Sequence, residues 1–324
     1  MLKYSSKWGA TAAAVATAIC ATASAAVACT ASTKIIVAYP PGSPDDVVGR
    51  LIGQKMGQGG RTVVIDNIPG AAGKIGNAVA AKAPADGCTL LIVNSSVSVH
   101  AAAGSKTPYD IQTSFVPVAL LTKAPETISV HPAVPAKTMQ EFAALVKANP
   151  GKYSYASPGF ASSPHLAGER LFRVTLGLDV AHVPHQGGPP AVNATMGGHT
   201  QIVHLTLPVV AAAVKDGRLR MLAVADNERH RMFPDVPTLA ESGVANHELG
   251  FWNAVLVPQG TPPAIVDALH ARIKVIMETD DVRQRLEALG FSTVTGPRDI
   301  VSKHIADDIS RLRSIIAATG INIE

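Results

Sequence analysis

The chain is poor in charge. Only 16% of its 324 residues are Asp, Glu, Lys or Arg, against 47% hydrophobic. The net charge is +4, two of those charges are Lys3 and Lys7, and no basic run exists, so the sequence offers no nucleic-acid surface. Cysteine is scarce as well. Apart from Cys20, only Cys29 and Cys88 are present, and no disulfide framework can be read from them. No Gly-x-Ser-x-Gly elbow occurs, and "PGAAGKIG" from Pro69 to Gly76 lacks the length and the hydroxyl of a phosphate loop. Gly70 and Gly73 therefore read as turn and close-packing glycines. His165, His182, His185, His199 and His204 crowd one region, yet their spacing fits no zinc pattern and no cysteine or acid accompanies them. His182 with His185 could approach a metal, but hydrogen bonding to a ligand or simple packing explains His165 and His185 better, and the signals for an enzyme are weak as well.

The first segment is informative. Lys3 and Lys7 precede a stretch from Trp8 to Thr33 without any charge, rich in alanine and ending in small residues. That order is a secretory signal peptide, read as residues 1–28, with Ala26-Val27-Ala28 at the cleavage site and Ala23-Ser24-Ala25 as its rival. Cleavage after Ala28 leaves Cys29 first, a weak lipoprotein signal that keeps a lipid anchor open. A retained membrane helix is long enough but too rich in Ala, Thr and Ser. The expected location is the periplasm.

From Lys34 onward, short apolar runs alternate with helical stretches. Ile35–Tyr39, Thr62–Ile65 and Thr89–Val93 read as strands, with helices over Asp46–Met56 and Ile75–Ala83 between them. This βαβ order predicts a mainly parallel sheet covered by helices on both faces. A second α/β series follows the helix at Thr138–Ala148, with strands "YSYAS", "DVAHV", "QIVHL" and "RLRMLAV" and helices over Ser163–Val174 and Pro189–Met196. Two extended stretches, "ALLTKAPETISVHP" and "HELGFWNAVLVPQGTPP", read as crossings. The chain is thus expected to build lobe 1 from residues 34–125 and 250–324 and lobe 2 from 126–249, with a two-strand hinge and a cleft between them.

One loop stands out. In "VAYPPGSPDDVVGR" a strand runs into a turn at Gly42, Ser43 suits an N-cap, Pro44 the first helical position, and Asp45 and Asp46 the first turn. A helix start with free amides can bind an anion. "YASPGFASSPHLAGERLF" repeats the grammar at Ser163-Pro164, "HVPHQGGPPAV" offers Gly187-Gly188 before Pro189, and "VNSS" places Asn94, Ser95 and Ser96 at a strand end. Each is also explained by ordinary capping. As adjacent acids, Asp45 and Asp46 read most simply as dipole partners.

Several stretches together carry a resemblance: "IIVAYPPGSPDDVVGRL", "VVIDNIPGAAGKIG", "APADGCTLLIVNSS", "YSYASPGFASSPHLAGERL", "HVPHQGGPPAV", "GRLRMLAV", "FPDVPTLAESG" and "PQGTPPAIVDAL". In that order they resemble the solute receptors of tripartite tricarboxylate transporters, the TctC or Bug type. The resemblance implies an α/β chain with a type II periplasmic-binding-protein fold. It also implies a small carboxylate ligand, integral membrane permease subunits as partners, and no cofactor; the chain is read as a monomer. On the same analogy Tyr39, Pro41, Gly42, Ser43, Asp46, Ser95 and Ser96 line the cleft from lobe 1. Ser157, Gly159, Ser163, His165, His185 and Gly188 line it from lobe 2.

The chain departs from the family pattern at several of these points. Ser43 stands for a second glycine, Pro44 and Asp45 for small hydroxyl residues, Phe160 and Ala161 for a polar-Gly pair, and His185 for an aromatic. Gln201 and His204 stand for an acid and an aromatic. Asp45 would repel a polyanion, greet a ligand bearing an amine, or simply face solvent and aid the dipole. Two other roles stay open: a secreted enzyme using His165 or His185 as base, and a ligand sensor feeding a two-component kinase.

Overall fold

A computed structural model describes residues 32–244 and 250–322. The expected signal peptide, its expected cleavage site and Cys29 lie outside the described residues. The elements, in chain order, are β1 (Thr33–Val37), α1 (Pro44–Met56), β2 (Val63–Asn67), α2 (Lys74–Ala81), β3 (Thr89–Asn94), α3 (Ser96–Ala102), β4 (Phe115–Ala124) and β5 (Glu126–Val130). There follow α4 (Met139–Lys147), β6 (Tyr153–Ser157), α5 (Ser163–Glu169), β7 (Val180–Pro184), α6 (Gly188–Met196), β8 (Ile202–Thr206), α7 (Leu207–Lys215) and β9 (Arg220–Ala225). The last are β10 (Phe251–Pro258), α8 (Pro263–Glu278), α9 (Asp280–Ala288), β11 (Ser292–Thr293) and α10 (Asp299–Thr319). No described helix is long and apolar enough to cross a membrane.

The strands form two sheets, ordered β11-β4-β10-β3-β1-β2 and β7-β6-β8-β5-β9. The expected mainly parallel arrangement holds only in part. β1 pairs parallel with β2 and β3, and β6 with β7 and β8, whereas β4, β5 and β10 run antiparallel to their neighbours. These three are crossing strands. β5 and β10 are entered from the other lobe and so point against the strands that the βα units laid down, whereas β4 leaves its own lobe and is antiparallel only to β10 and β11. Only Pro125 separates β4 from β5, so the first crossing is nearly continuous.

Alternation along each strand divides the core. Ile35, Val37, Leu90 and Ile92 pack under α1 and α8, while Ile36, Leu91 and Val93 face the opposite side with Trp252, Ile305 and Ile309. In the second sheet Ile128, Val130, Tyr153 and Tyr155 join Phe142 and Phe172, and Val203, Leu205 and Val224 join α6 and α7. Both sheets are therefore covered on both faces, and loops at strand ends gather between them. Cys88 is disulfide-bonded, a pairing the sequence did not reveal; its partner lies outside the described residues.

Candidate functional site

Six loops meet between the sheets. They follow β1, β2 and β3 in one lobe and β6, β7 and β8 in the other, all at carboxyl ends of strands, where open α/β sheets place their ligands. Two connected margins result. The larger space, about 210 Å³, is lined by Tyr39, Pro40, the 69–73 loop, Pro158–Phe160 and Pro184–Gly187. The smaller, about 20 Å³, has Tyr39, Ser43, Asp45, Asn94, Ser96, Gly188 and Thr206 on its walls. Tyr39 and Pro158 line both.

The first loop is built as its residues predict, but its amides are already used. Ser43 caps α1 by accepting from Asp46 N at 3.3 Å, and Pro44 occupies the first turn. Gly42 takes φ +80°, which a side chain resists, and donates its N–H to Asp46 Oδ2 at 2.9 Å. Ser43 N donates to Pro40 O at 3.1 Å. Asp46 also accepts from Arg50 Nε at 2.9 Å and Asn67 Nδ2 at 2.9 Å. Burial opposes its ionisation, but the bonds from Arg50, Gly42 and Asn67 prevail and hold its carboxyl below the usual range. Gly42 and Asp46 thus stabilise the loop rather than line either space, and Pro41 is exposed outside both. The expectation of free amides here fails because the aspartate that follows the turn folds back onto it.

Asp45 has the opposite environment. It is 1% exposed, and Asn94 Nδ2 lies 3.0 Å from each of its oxygens, with Asn253 Nδ2 3.2 Å from Oδ1. Burial pushes its carboxyl up to about 7; the Asn94 bond lowers it and the neighbouring Asp46 charge adds to the rise. The reading of Asp45 as a solvent-facing dipole partner is therefore overturned: the side chain turns inward because Pro44 and Asp45 lead into the helix beneath β3 and β10, whose asparagines receive it.

Tyr39 joins the loops. Its hydroxyl donates to Ala72 O at 2.8 Å, and its oxygen lies 3.2 Å from Ser96 Oγ. Ser163 N, from the other lobe, donates to that same Ser96 Oγ at 3.1 Å. Burial raises the Tyr39 phenol far above its ordinary value, with the Asp45 charge acting in the same direction, so it stays a neutral donor. Replacing Ser96 by Ala removes the acceptor of a cross-cleft bond and is expected to weaken ligand binding roughly tenfold, for about 1–2 kcal/mol, with little change in Tm. Titration calorimetry checks this, and unaltered affinity would show that the bond does not bias closure.

In lobe 2 the grammar of the first loop shifts by one residue. Ser162, not Ser163, caps α5, accepting from His165 N at 3.3 Å, which frees Ser163 N to reach across the cleft. Ala161 N donates to His165 Nδ1 at 3.1 Å, so the ring proton of His165 is on Nε2. His165 stacks on His182 with centroids 3.9 Å apart and packs on Phe160 at 4.6 Å. His182 Nε2 is 2.7 Å from Ser157 Oγ, and Gly159 N donates to that hydroxyl at 3.3 Å. Burial draws His165 down to about 4; for His182 burial and the neighbouring histidines draw it down to about 3. Both are neutral braces of the loop. Ser95, Ser157, Ser163 and His165 accordingly stand behind the walls of the two spaces, whereas Gly159, His185 and Gly188 are on them. His185 is half-buried, lowered by burial, and its Nε2 has no partner. Among the described residues no group of three or more His, Cys, Asp or Glu is placed to hold a metal ion.

The 69–73 loop does more than the turning and packing that Gly70 and Gly73 suggest. It forms one wall of the larger space, with Ala71 at φ +48° and Ala72 at φ +53°, and Ala161 opposite at φ +60°. Left-handed alanines cost about 1 kcal/mol or more each and gather at binding loops. A pair of alanines between two glycines was the available signal. Asn94 and Gly187 stand in loops that the sequence marks as candidates, whereas nothing local marks Thr206; what each one does arises from contacts between distant segments.

Comparison with known proteins accords with this geometry. The family model for the tripartite tricarboxylate transporter family receptor matches residues 48–321, starting just after the first loop. Protein BugT of Bordetella pertussis is 32% identical over 294 residues, covering 90% of each chain. Among solved structures, R. palustris Rpa4515 with adipate is 27% identical with a TM-score of 0.86, covering 90% of this chain and 98% of that one. MatC from Rhodopseudomonas palustris with bound malate is 29% identical with a TM-score of 0.83, covering 89% and 99%. The match spans both lobes and the loops between them, and the chain belongs to the tripartite tricarboxylate transporter receptor family, whose members are solute-binding receptors and not enzymes.

Proposed function

We propose that this receptor captures a small carboxylate-bearing solute in the periplasm and delivers it to the integral membrane permease of a tripartite tricarboxylate transporter. The observation that carries the reading is the 210 Å³ space enclosed by loops of both lobes, with no Lys or Arg on its walls. It is smaller than the ~300–1,000 Å³ of sites for drug-sized molecules and suits a small metabolite. Backbone dipoles of the left-handed loops and neutral His185 would orient the ligand without a fixed counter-charge, which favours reversible capture. Similar structures solved with adipate and with bound malate support the carboxylate class.

The lobes close because the ligand contacts both at once, so its differential affinity for the closed form does the work. Export through residues 1–28 and a monomeric state belong to the same proposal. A thermal-shift screen against mono-, di- and tricarboxylates, amino acids and aromatic acids tests it. A true ligand at a hundredfold excess over its Kd stabilises by about 2.7 kcal/mol. A response to one acid class, with the compound recovered intact, is the expected result; no response to any acid, or recovery of a transformed product, would overturn the reading.

A further inference from the structure

Asp45 is a carboxylate sealed inside the cleft with only neutral side-chain partners. It is 1% exposed, its side-chain donors are the amides of Asn94 and Asn253, and neither space carries a Lys or Arg on its walls. Across the same small space Thr206 Oγ1 is buried without a hydrogen-bond partner. The volume there, about 20 Å³, holds little more than one water-sized group. A protonated amine has that size, and it brings three N–H donors with a point charge.

We propose that the receptor selects an amino-acid-like solute, whose protonated amine seats between Asp45 and Thr206 while its carboxylate and carbon body occupy the larger space beyond Tyr39. This rests on the carboxylate-receptor reading and narrows it. A carboxylate placed in the small space would meet the ionised form of Asp45 with no cation near, so a dicarboxylate of equal length is disfavoured by like charge where the amine is favoured. Neutral solutes leave Asp45 unbalanced and gain neither.

Titration calorimetry on the purified receptor tests this with matched probes: succinate, glutarate, malate and adipate against the twenty proteinogenic amino acids, β-alanine and 4-aminobutyrate. At least one amino compound is expected to bind ten times or more tighter than any dicarboxylate. Asp45→Asn should remove at least tenfold of that affinity and raise dicarboxylate binding, and Thr206→Val should give a smaller loss in the same direction, both with the circular dichroism of the parent. Dicarboxylate binding that is tighter than all amino compounds, or an amine preference that Asp45→Asn leaves intact, would overturn the inference and leave the receptor reading standing. Binding of neither set would overturn both.

Discussion

Alanine at position 187 is expected to leave both lobes folded yet weaken ligand binding by more than a hundredfold, about 2.7 kcal/mol. Gly187 caps α6 at φ +114°, and its N–H donates to Pro158 O at 3.0 Å. A Cβ added there would lie 2.5 Å from Pro40 Cγ and 2.7 Å from Cδ. Pro40 belongs to the other lobe, and its ring cannot rotate out of the way. The lobes must then stay apart, so the clash is felt only on closure.

Backbone strain from the positive φ is a separate cost, present open or closed, of about 1–3 kcal/mol in Tm measurements. A double-mutant cycle separates the two. Pro40→Ala removes the ring that the new methyl meets, so Gly187→Ala with Pro40→Ala should regain most of the ligand affinity while keeping the stability loss. Affinity close to that of the parent in Gly187→Ala alone, or no recovery in the double variant, would show that closure does not bring these two residues together.

Stability is expected to fall as pH rises from about 5 to 9, contrary to the usual behaviour of carboxylates, which are stabilised by pairing. Asp45 is pushed up to about 7, first by burial, and Glu126 up to about 8, by burial alone. Glu126 follows the Pro125 crossing, is fully buried opposite Thr206 and Ala225, and neither of its oxygens has a partner.

For a group whose folded pKa is raised, the stabilising proton is fully in place below the unfolded value near 4 and is lost as pH passes through the folded value. Each group then withdraws on the order of a few kcal/mol by pH 9. Asp46, held low by its bonds, acts in the opposite sense and sets the acid limb, with stability lost as pH falls below the ordinary carboxylate range. Thermal unfolding of the unliganded receptor from pH 4 to 9 measures this. Asp45→Asn with Glu126→Gln should flatten the alkaline limb and raise Tm at pH 9, with little effect at pH 4.5. An alkaline limb of unchanged slope in that variant would mean that both carboxyls ionise without cost.

Much of this molecule is legible in its sequence because local chemistry and apolar period act over a few residues. Ser43, Pro44 and the paired acids announce α1, and the structure starts the helix at Pro44. "YSYAS" is β6 from Tyr153 to Ser157. At the start of α5 two local signals compete. Ser162 and Ser163 both suit a cap, and only the fit of α5 against the opposite lobe selects Ser162. The helix over 96–102 has no counterpart in the sequence reading, because a Ser-rich stretch lacks a strong apolar stripe; burial of Ser96 to His100 supplies what propensity does not.

The two α/β series, the crossings and the family were determined by the sequence alone, since each depends on patterns that neighbours along the chain complete. Which residues face the ligand was decided by the tertiary structure. Asp46 and Asp45 are adjacent and chemically identical, yet one braces the loop through Arg50 and Asn67 and the other enters the cleft between Asn94 and Asn253. Their partners lie 4 to 208 residues away along the chain. The helical turn points successive side chains about 100° apart, and only the packing of sheet and lobes determines what each then meets.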